Sequence, residues 1–326
     1  MTIDLVLRGI FSTFFLASVL RICTPIIFPS MGGLVAAAAG VSNMALEGIM
    51  LWGAFTGVFV SANTGNVWLA VLAGCLAGIL VAMLLAVAHL RFGSDRFLAG
   101  LAVNLFSSGG TVFLMFSLIG EKGNTSTLAS LSVPNVVIPF IHDIPILGQI
   151  LSGHPVFTYI AFFSVWVIYI LMYRTRLGVH MRAVGENPAA ATTLGINVHR
   201  VQYIALAISG LFAAMGGMSL SMAYLQMFQR EMAAGRGWIG IAAVNLGALR
   251  PIPTLIAAMI FGFADALANQ LGSLKIPTQL VQSIPFLTTV IGMAVYSIQQ
   301  RRVAIERRKK YASEHYDEMP EEATQL

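Results

Sequence analysis

The sequence has 326 residues, 57% of them hydrophobic and only 10% charged, with a formal net charge of +5. Soluble domains carry about 25% charged residues, so this composition, with a mean hydropathy of +0.80, excludes a surface that faces water all round. A soluble enzyme, a disordered chain and a disulfide scaffold are set aside together. A spanning helix uses roughly 20 apolar residues to cross about 30 Å of hydrocarbon. The expected fold is therefore an all-α, polytopic transmembrane bundle with no separate soluble domain.

In chain order, charges and turn residues divide the sequence into ten apolar segments: 5–20, 24–39, 43–61, 66–89, 97–118, 155–173, 201–222, 238–249, 253–271 and 281–299. The first begins at Leu5 without a small-residue cleavage pattern and reads as a retained span, not a signal peptide. From Gly48 to Leu90 there is no Asp, Glu, Lys or Arg, and Asn63-Thr64-Gly65-Asn66 supplies the turn between two spans. Segment 238–249 is too short to cross unaided and is expected to be tilted, broken or buried among other helices. Residues 119–153, with Pro134, Pro139 and Pro145, form one hydrophilic connection, and 174–200 form another.

Ten crossings put both termini on one side. With that side as cytoplasm, thirteen basic residues fall inside: Arg91, Arg96, Arg174, Arg176, Arg182, Arg200, Arg250 and six of the tail. Five fall outside, namely Arg21, Lys122, Arg230, Arg236 and Lys275. This division follows the positive-inside rule. It makes 1–300 the membrane domain, 119–153 an external connection, 174–200 a cytoplasmic one, and 301–326 a cytoplasmic tail, basic and then acidic. The tail cluster Arg301, Arg302, Arg307, Arg308, Lys309 and Lys310 suits anionic lipid headgroups, not nucleic acid. Cys23 and Cys75 lie in apolar stretches with no metal or redox spacing, and no cofactor pattern is present. Small residues at four-residue spacing (Gly53 and Gly57; Gly74 and Gly78; Ala205, Ser209, Ala213, Gly217 and Ser221; Ala258, Gly262 and Ala266) point to close helix packing in lipid.

The cytoplasmic connection encodes a short helix with explicit ends. Asn187 is a good N-cap, Pro188 fits the first helical position, Ala189 to Leu194 propagate the helix, and Gly195 stops it. Glu186 places negative charge before the N-terminus, where the helix dipole favours it. A helix this short is not stable alone in water and needs a docking surface, either its own membrane domain or a partner.

Three motifs carry a resemblance. The run Thr175-Arg176-Leu177-Gly178, Arg182-Ala183-Val184-Gly185-Glu186-Asn187-Pro188-Ala189-Ala190-Ala191 and Leu194-Gly195-Ile196-Asn197 resembles the coupling loop of bacterial ABC importer permeases. The branch is that of ribose and branched-chain amino-acid permeases, and within it the nucleoside-type permeases linked to basic membrane lipoproteins. Asn43-Met44-Ala45-Leu46-Glu47-Gly48-Ile49-Met50-Leu51 is similar to the branch's Asn-x-Gly-Leu-Glu-Gly-x-Met-Leu signature, with Ala45 in place of a glycine. Phe261-Gly262-Phe263-Ala264-Asp265-Ala266-Leu267 is similar to its later Phe-Gly-x-x-Asp-Ala-Leu stretch. Together they cover most of 24–300. The resemblance implies a multi-pass permease subunit of the bacterial cytoplasmic membrane, working by alternating access. Separate ATPase subunits would dock at Arg182, Glu186, Asn187, Pro188, Ala189, Ala190 and Gly195. A second permease, homologous or identical, and an external binding protein or lipoprotein would complete it. Nucleosides are the solute it favours, with sugars and riboflavin-like compounds as alternatives.

Charged residues inside spans are costly, roughly 2.5–3.5 kcal/mol on insertion scales, and face protein or a wet cavity. Glu47 and Asp265 are such residues, and Asn43, Asn104 and Asn245 are uncharged polar groups in or near spans. Two readings stay open: a lining for a small polar solute, or glue and caps for broken helices. No Gly-x-x-x-x-Gly-Lys-Ser/Thr loop occurs, so ATP hydrolysis by that route belongs to another subunit. Protease and prenyltransferase patterns are also absent, and His142 and His154 lack ligand spacing, so the chain is not read as an enzyme. The rival is a stand-alone secondary transporter using Glu47 or Asp265 as a proton or ion site.

Overall fold

The computed structural model describes residues 12–139, 147–271, 287–292, 294 and 297–298. Its helices are α1 (Thr13–Ala38), α2 (Leu46–Thr64), α3 (Val67–Ala86), α4 (Arg96–Ile119), α5 (Leu147–Leu151), α6 (Val156–Arg174), α7 (Arg176–Glu186), α8 (Pro188–Thr193), α9 (Val198–Met218), α10 (Arg236–Leu246) and α11 (Pro251–Leu271). α3 and α9 each run on into a π-helical turn, over Val87–Arg91 and Ser219–Tyr224. Side-chain oxygens start most of them. Ser12, Asn66, Asp95, Thr175, Asn187 and Asn197 each accept from a backbone N–H of the first turn they precede. Among the described residues, six helices are long and apolar enough to cross a membrane, so the chain is a mostly helical membrane bundle.

One boundary differs from expectation. Segments 5–20 and 24–39 were to be separate, with Arg21 in an external turn, yet Thr13–Ala38 is a single helix of 26 residues. Residues 5–11 lie outside the description. An arginine followed by Pro25 reads as a break and a fresh start. Here Pro25 and Pro29 sit inside the helix. Packing against neighbouring helices permits this in a membrane bundle. The tenth segment, 281–299, is described only in part, and both termini and the tail 301–326 lie outside the described residues.

α1 is the central mast; Cys23, Ile26, Ile27, Phe28, Met31, Leu34 and Val35 on it are fully buried. α9 packs beside it and sets its small-residue stripe against α2. Gly217 lies so near the Met50 carbonyl that a β-carbon would overlap it. Ser221 Oγ donates to the Ala54 carbonyl at 3.0 Å. α11 runs antiparallel to α1, with Phe15 edge-on to Phe263 at 5.8 Å and Cys23 Sγ donating to the Met259 carbonyl at 3.8 Å. The outer faces carry exposed leucine and isoleucine at four-residue spacing, Leu72, Leu76, Leu80 and Leu84 on α3 and Ile252, Ile256 and Ile260 on α11, which suits lipid.

The connection after α4 is stapled to the segment after α9. Thr125 N–H donates to the Phe228 carbonyl at 2.9 Å, Arg230 N–H to Gly123 at 3.0 Å and Val133 N–H to Met222 at 3.0 Å. Farther on, the two-residue strands β1 (Asn135–Val136) and β2 (His154–Pro155) pair antiparallel. His154 Nε2 lies 2.7 Å from the Ile150 carbonyl. Burial, and the Arg21 charge as well, hold this imidazole below its ordinary pKa, against the opposite pull of that carbonyl.

The packing of α2 on α9 yields a prediction. A β-carbon at Gly53 would stand 2.6 Å from Ala214 Cα, whereas one at Gly109 of α4 would meet nothing within 4 Å. Gly53→Ala should lower stability in mild detergent by about 1–3 kcal/mol, and Gly109→Ala should leave it equal or slightly higher. Thermal unfolding of the two variants checks this, and equal midpoints would contradict the packing described.

Candidate functional site

Two helices begin inside the bundle instead of at its surface. Gly48, in the first turn of α2, donates its N–H at 2.8 Å to Oδ1 of Asn104, eight residues into α4. The Asn104 amide donates in turn to the Met44 carbonyl at 2.9 Å. Asn43 accepts from Ala45 N–H at 3.0 Å and donates to Ser209 Oγ at 2.9 Å. The two asparagines thus satisfy the donors that a helix start leaves orphaned, where no water does so.

α10 is the second such helix. Its 11 residues span only about 16 Å at 1.5 Å per residue, roughly half of the hydrocarbon thickness. Before it, the chain turns back into the bundle. Glu231 takes a short hydrogen bond from Ser108, midway along α4. Glu47, in the first turn of α2, then receives Gly235 N–H on Oε1 at 2.6 Å and Gly237 N–H on Oε2 at 2.8 Å. A carboxylate on two N-terminal N–H groups satisfies orphan donors and meets the positive end of the helix dipole. Glycine suits both positions: Gly235 has φ +83°, and a β-carbon at Gly237 would stand 2.6 Å from the Glu47 nitrogen.

Between those glycines, Arg236 reaches to α11. Its Nη2 lies 2.9 Å from Asp265 Oδ2, with the side chains 20% and 14% exposed. This is the only ion pair among the described residues, and Arg236 Nε is buried without an acceptor there. Arg236 was expected in an external turn; it stands inside, as the first residue of α10. Asn245, at the other end of α10, is exposed. So Glu47 and Asp265 are brought together at the start of α10, Asn245 lies apart from them at its other end, and Asn43 and Asn104 sit at the start of α2.

Strain is concentrated on the same element. Every non-glycine residue with positive φ among the described residues flanks α10: Gln226, Glu231 and Ala234 before it, Ala248 and Leu249 after it. Such conformations cost of order 1–3 kcal/mol each and persist where surrounding structure enforces them.

The 174–200 connection folds as its sequence suggests, with an addition. Asn187 Oδ1 accepts from Ala190 N–H at 3.0 Å, Pro188 opens α8, and Gly195 takes φ +78° just beyond it. Glu186, Ala189 and Ala190 are exposed, and only Ala191 of α8 is buried. The addition is α7, capped by Thr175 and buried through Gly178, Met181 and Val184; that spacing was its only signal. Arg182 holds its guanidinium 5.0 Å from the Tyr173 ring. At the end of α7, Gly185 presses on the Ala38 carbonyl and on Gly40, so closely that a β-carbon would overlap. The loop is therefore keyed to the end of α1. A cavity of about 530 Å³ opens beside α8, lined by His180, Leu194, Gly195, Asn197 and Arg200 among others.

Comparison with known proteins follows the same line. The family described as branched-chain amino acid transport system / permease component matches residues 15–293. The guanosine ABC transporter permease protein NupQ of Bacillus subtilis is 34% identical, over 82% of this chain and 87% of its own length. The nucleoside ABC transporter permease protein NupC of Lactococcus lactis is 32% identical, over 86% and 91%. Among solved structures, PsaBC from Streptococcus pneumoniae in complex with Fab shares the fold, with a TM-score of 0.51, 14% identity and coverage of 90% and 95%.

The Arg236–Asp265 contact can be tested by a double-mutant cycle. Arg236→Gln and Asp265→Asn should each destabilise the protein, because each strands the partner's charge. The double variant should recover at least about 1 kcal/mol relative to the sum. Additive losses in detergent unfolding would mean that the pair does not hold α10 to α11.

Proposed function

The chain belongs to the branched-chain amino acid transport system permease family, and from that premise we propose that it forms the membrane pathway of an ATP-driven nucleoside importer. It is a multi-pass protein of the bacterial plasma membrane. Two relatives named for guanosine and for nucleosides, each aligned over more than four fifths of its length, support that solute class. In this reading the chain hydrolyses nothing itself. ATPase subunits engage α8, a second permease copy or relative completes the pathway, an external binding protein delivers solute, and the C-terminal tail lies in the cytoplasm.

The observation that carries the coupling role is the exposure of α8 together with the wedge of Gly185 against α1. A capped helix that buries one residue against its own bundle presents the rest to a partner. A push on α8 is then delivered to the end of the central mast, beside the buried starts of α2 and α10. α10 is the moving part of the proposal: half a membrane long, strained at both ends and held by Glu47 and Asp265. Asp265 and Asn245 line the path, and Asn43, Asn104 and Glu47 act by holding the helix starts. Alternating access then amounts to two arrangements of one short helix.

The same contacts count against a stand-alone secondary transporter. Both of its candidate ion sites are engaged, Glu47 by two backbone N–H groups and Asp265 by Arg236.

The test is uptake of labelled guanosine and uridine by vesicles that hold the complete transporter. Uptake should require ATP and survive a protonophore; collapse with the protonophore and persistence without ATP would overturn the proposal. Asn187→Ala, which removes a cap worth about 1 kcal/mol, should lower solute-stimulated ATP hydrolysis while solute capture by the binding protein stays unchanged.

A further inference from the structure

Of the charged side chains gathered where α10 begins, Glu47 is engaged by two backbone N–H groups, and Arg236 and Asp265 are engaged by each other. Glu231 is left exposed. It stands in the turn that leads into α10 and itself carries a positive φ of 56°. The rest of this turn is packed into the bundle. Phe228, Met232 and Ala233 are buried, and Phe228 lies edge-on to Phe55, midway along α2, at 5.4 Å. Glu231 accepts a short hydrogen bond from the Ser108 hydroxyl. Ser108 is twelve residues into α4 from Arg96, about 18 Å along at 1.5 Å per residue. That bond therefore holds the carboxylate near the middle of a helix that crosses roughly 30 Å of hydrocarbon.

A carboxylate at that depth faces protein or a water-filled cavity, not acyl chains. Glu231 stays exposed beside its bond to Ser108, so the surface it belongs to is wet, and in an importer the wet surface at mid-depth is the solute path. The chemistry of the pair is one-sided. An ionised carboxylate only accepts hydrogen bonds, and a serine hydroxyl that has given its proton away can only accept further ones. Two neighbouring acceptors call for two neighbouring donors. In a nucleoside these are the 2′- and 3′-hydroxyls of the ribose, which carboxylates bind in other nucleotide sites. The N1–H and 2-amino edge is a second such pair, but it belongs to guanine alone, whereas every ribonucleoside carries the diol.

We propose that Glu231, braced by Ser108, is a ribose-binding residue at mid-depth in the pathway, accepting from the 2′- and 3′-hydroxyls of the solute. The proposal rests on the nucleoside reading and deepens it. A site built to hydrogen-bond a hydroxyl rejects the analogue that lacks it, so the permease favours ribonucleosides over 2′-deoxyribonucleosides. Glu231 also lies on the strained turn before α10, so a solute held there touches the element that moves in alternating access.

The experiment is uptake of labelled guanosine, 2′-deoxyguanosine and inosine by cells making the complete transporter, with wild type, Glu231→Gln and Glu231→Asn at matched membrane abundance. Wild type should prefer guanosine to 2′-deoxyguanosine. Glu231→Gln should lower that ratio about tenfold, as expected for losing a hydrogen bond to a charged group. Glu231→Asn, a residue that tolerates positive φ, should lower it as well and serves if the glutamine variant fails to assemble. The guanosine-to-inosine ratio should not change, since both solutes carry the diol. Equal loss of all three solutes would mean that Glu231 only staples the turn to α4, and would overturn the site. A change confined to the inosine ratio would move the contact to the guanine edge and overturn it too; both outcomes leave the importer reading intact. Wild-type cells that take up no nucleoside would overturn that reading and this site with it.

Discussion

A helix that begins inside a bilayer exposes backbone donors to a medium with no water to receive them, and most of this structure is arranged around meeting that demand twice. At α10 the answer is the Glu47 carboxylate, set between Gly235 N–H and Gly237 N–H. At α2 it is Asn104 and Asn43. Because Glu47 belongs to α2, the two buried starts are joined: the helix capped by Asn104 supplies the cap of the other. Remove the carboxylate and α10 loses the neutralisation of its dipole where screening is weakest.

This junction explains why other features gather nearby. Arg236 must enter the bundle as the first residue of α10, and Asp265 gives it a counter-charge. The chain must reverse sharply to begin α10 there, which accounts for the positive φ of Gln226, Glu231 and Ala234. Glycine at 235 and 237 lets the carboxylate approach. A half-length helix held by two polar contacts and strained at its flanks is a bistable element of the kind that alternating access requires. In the proposed importer, the keyed contact of Gly185 with the end of α1 carries the mechanical input.

Much of the fold was legible because charge is scarce. Apolar lengths located α3, α4, α6, α9 and α11 to within a few residues, and the Asn187-Pro188…Gly195 pattern gave α8 its ends, since capping is a local code. What was not legible depends on partners far along the chain. Glu47 and Gly235 are 188 residues apart, and nothing in either neighbourhood announces the other. Arg21 and Pro25 read as a break because an isolated helix would break there; packing in the bundle overrides the local preference. Arg236 read as external because basic residues at the end of an apolar run usually are. The candidate site was therefore named in Glu47 and Asp265 and missed in Arg236.

The claim that α10 lines a path which opens to each side in turn has a direct test. Asn245→Cys, placed at the exposed end of α10 in a chain with Cys23 and Cys75 replaced by serine, is treated with a membrane-impermeant thiol reagent from the cytoplasmic side. The assembled transporter is labelled without nucleotide and again when trapped with ATP and vanadate. The account predicts that labelling is fast in one state and strongly suppressed in the other. Equal rates in both would contradict it.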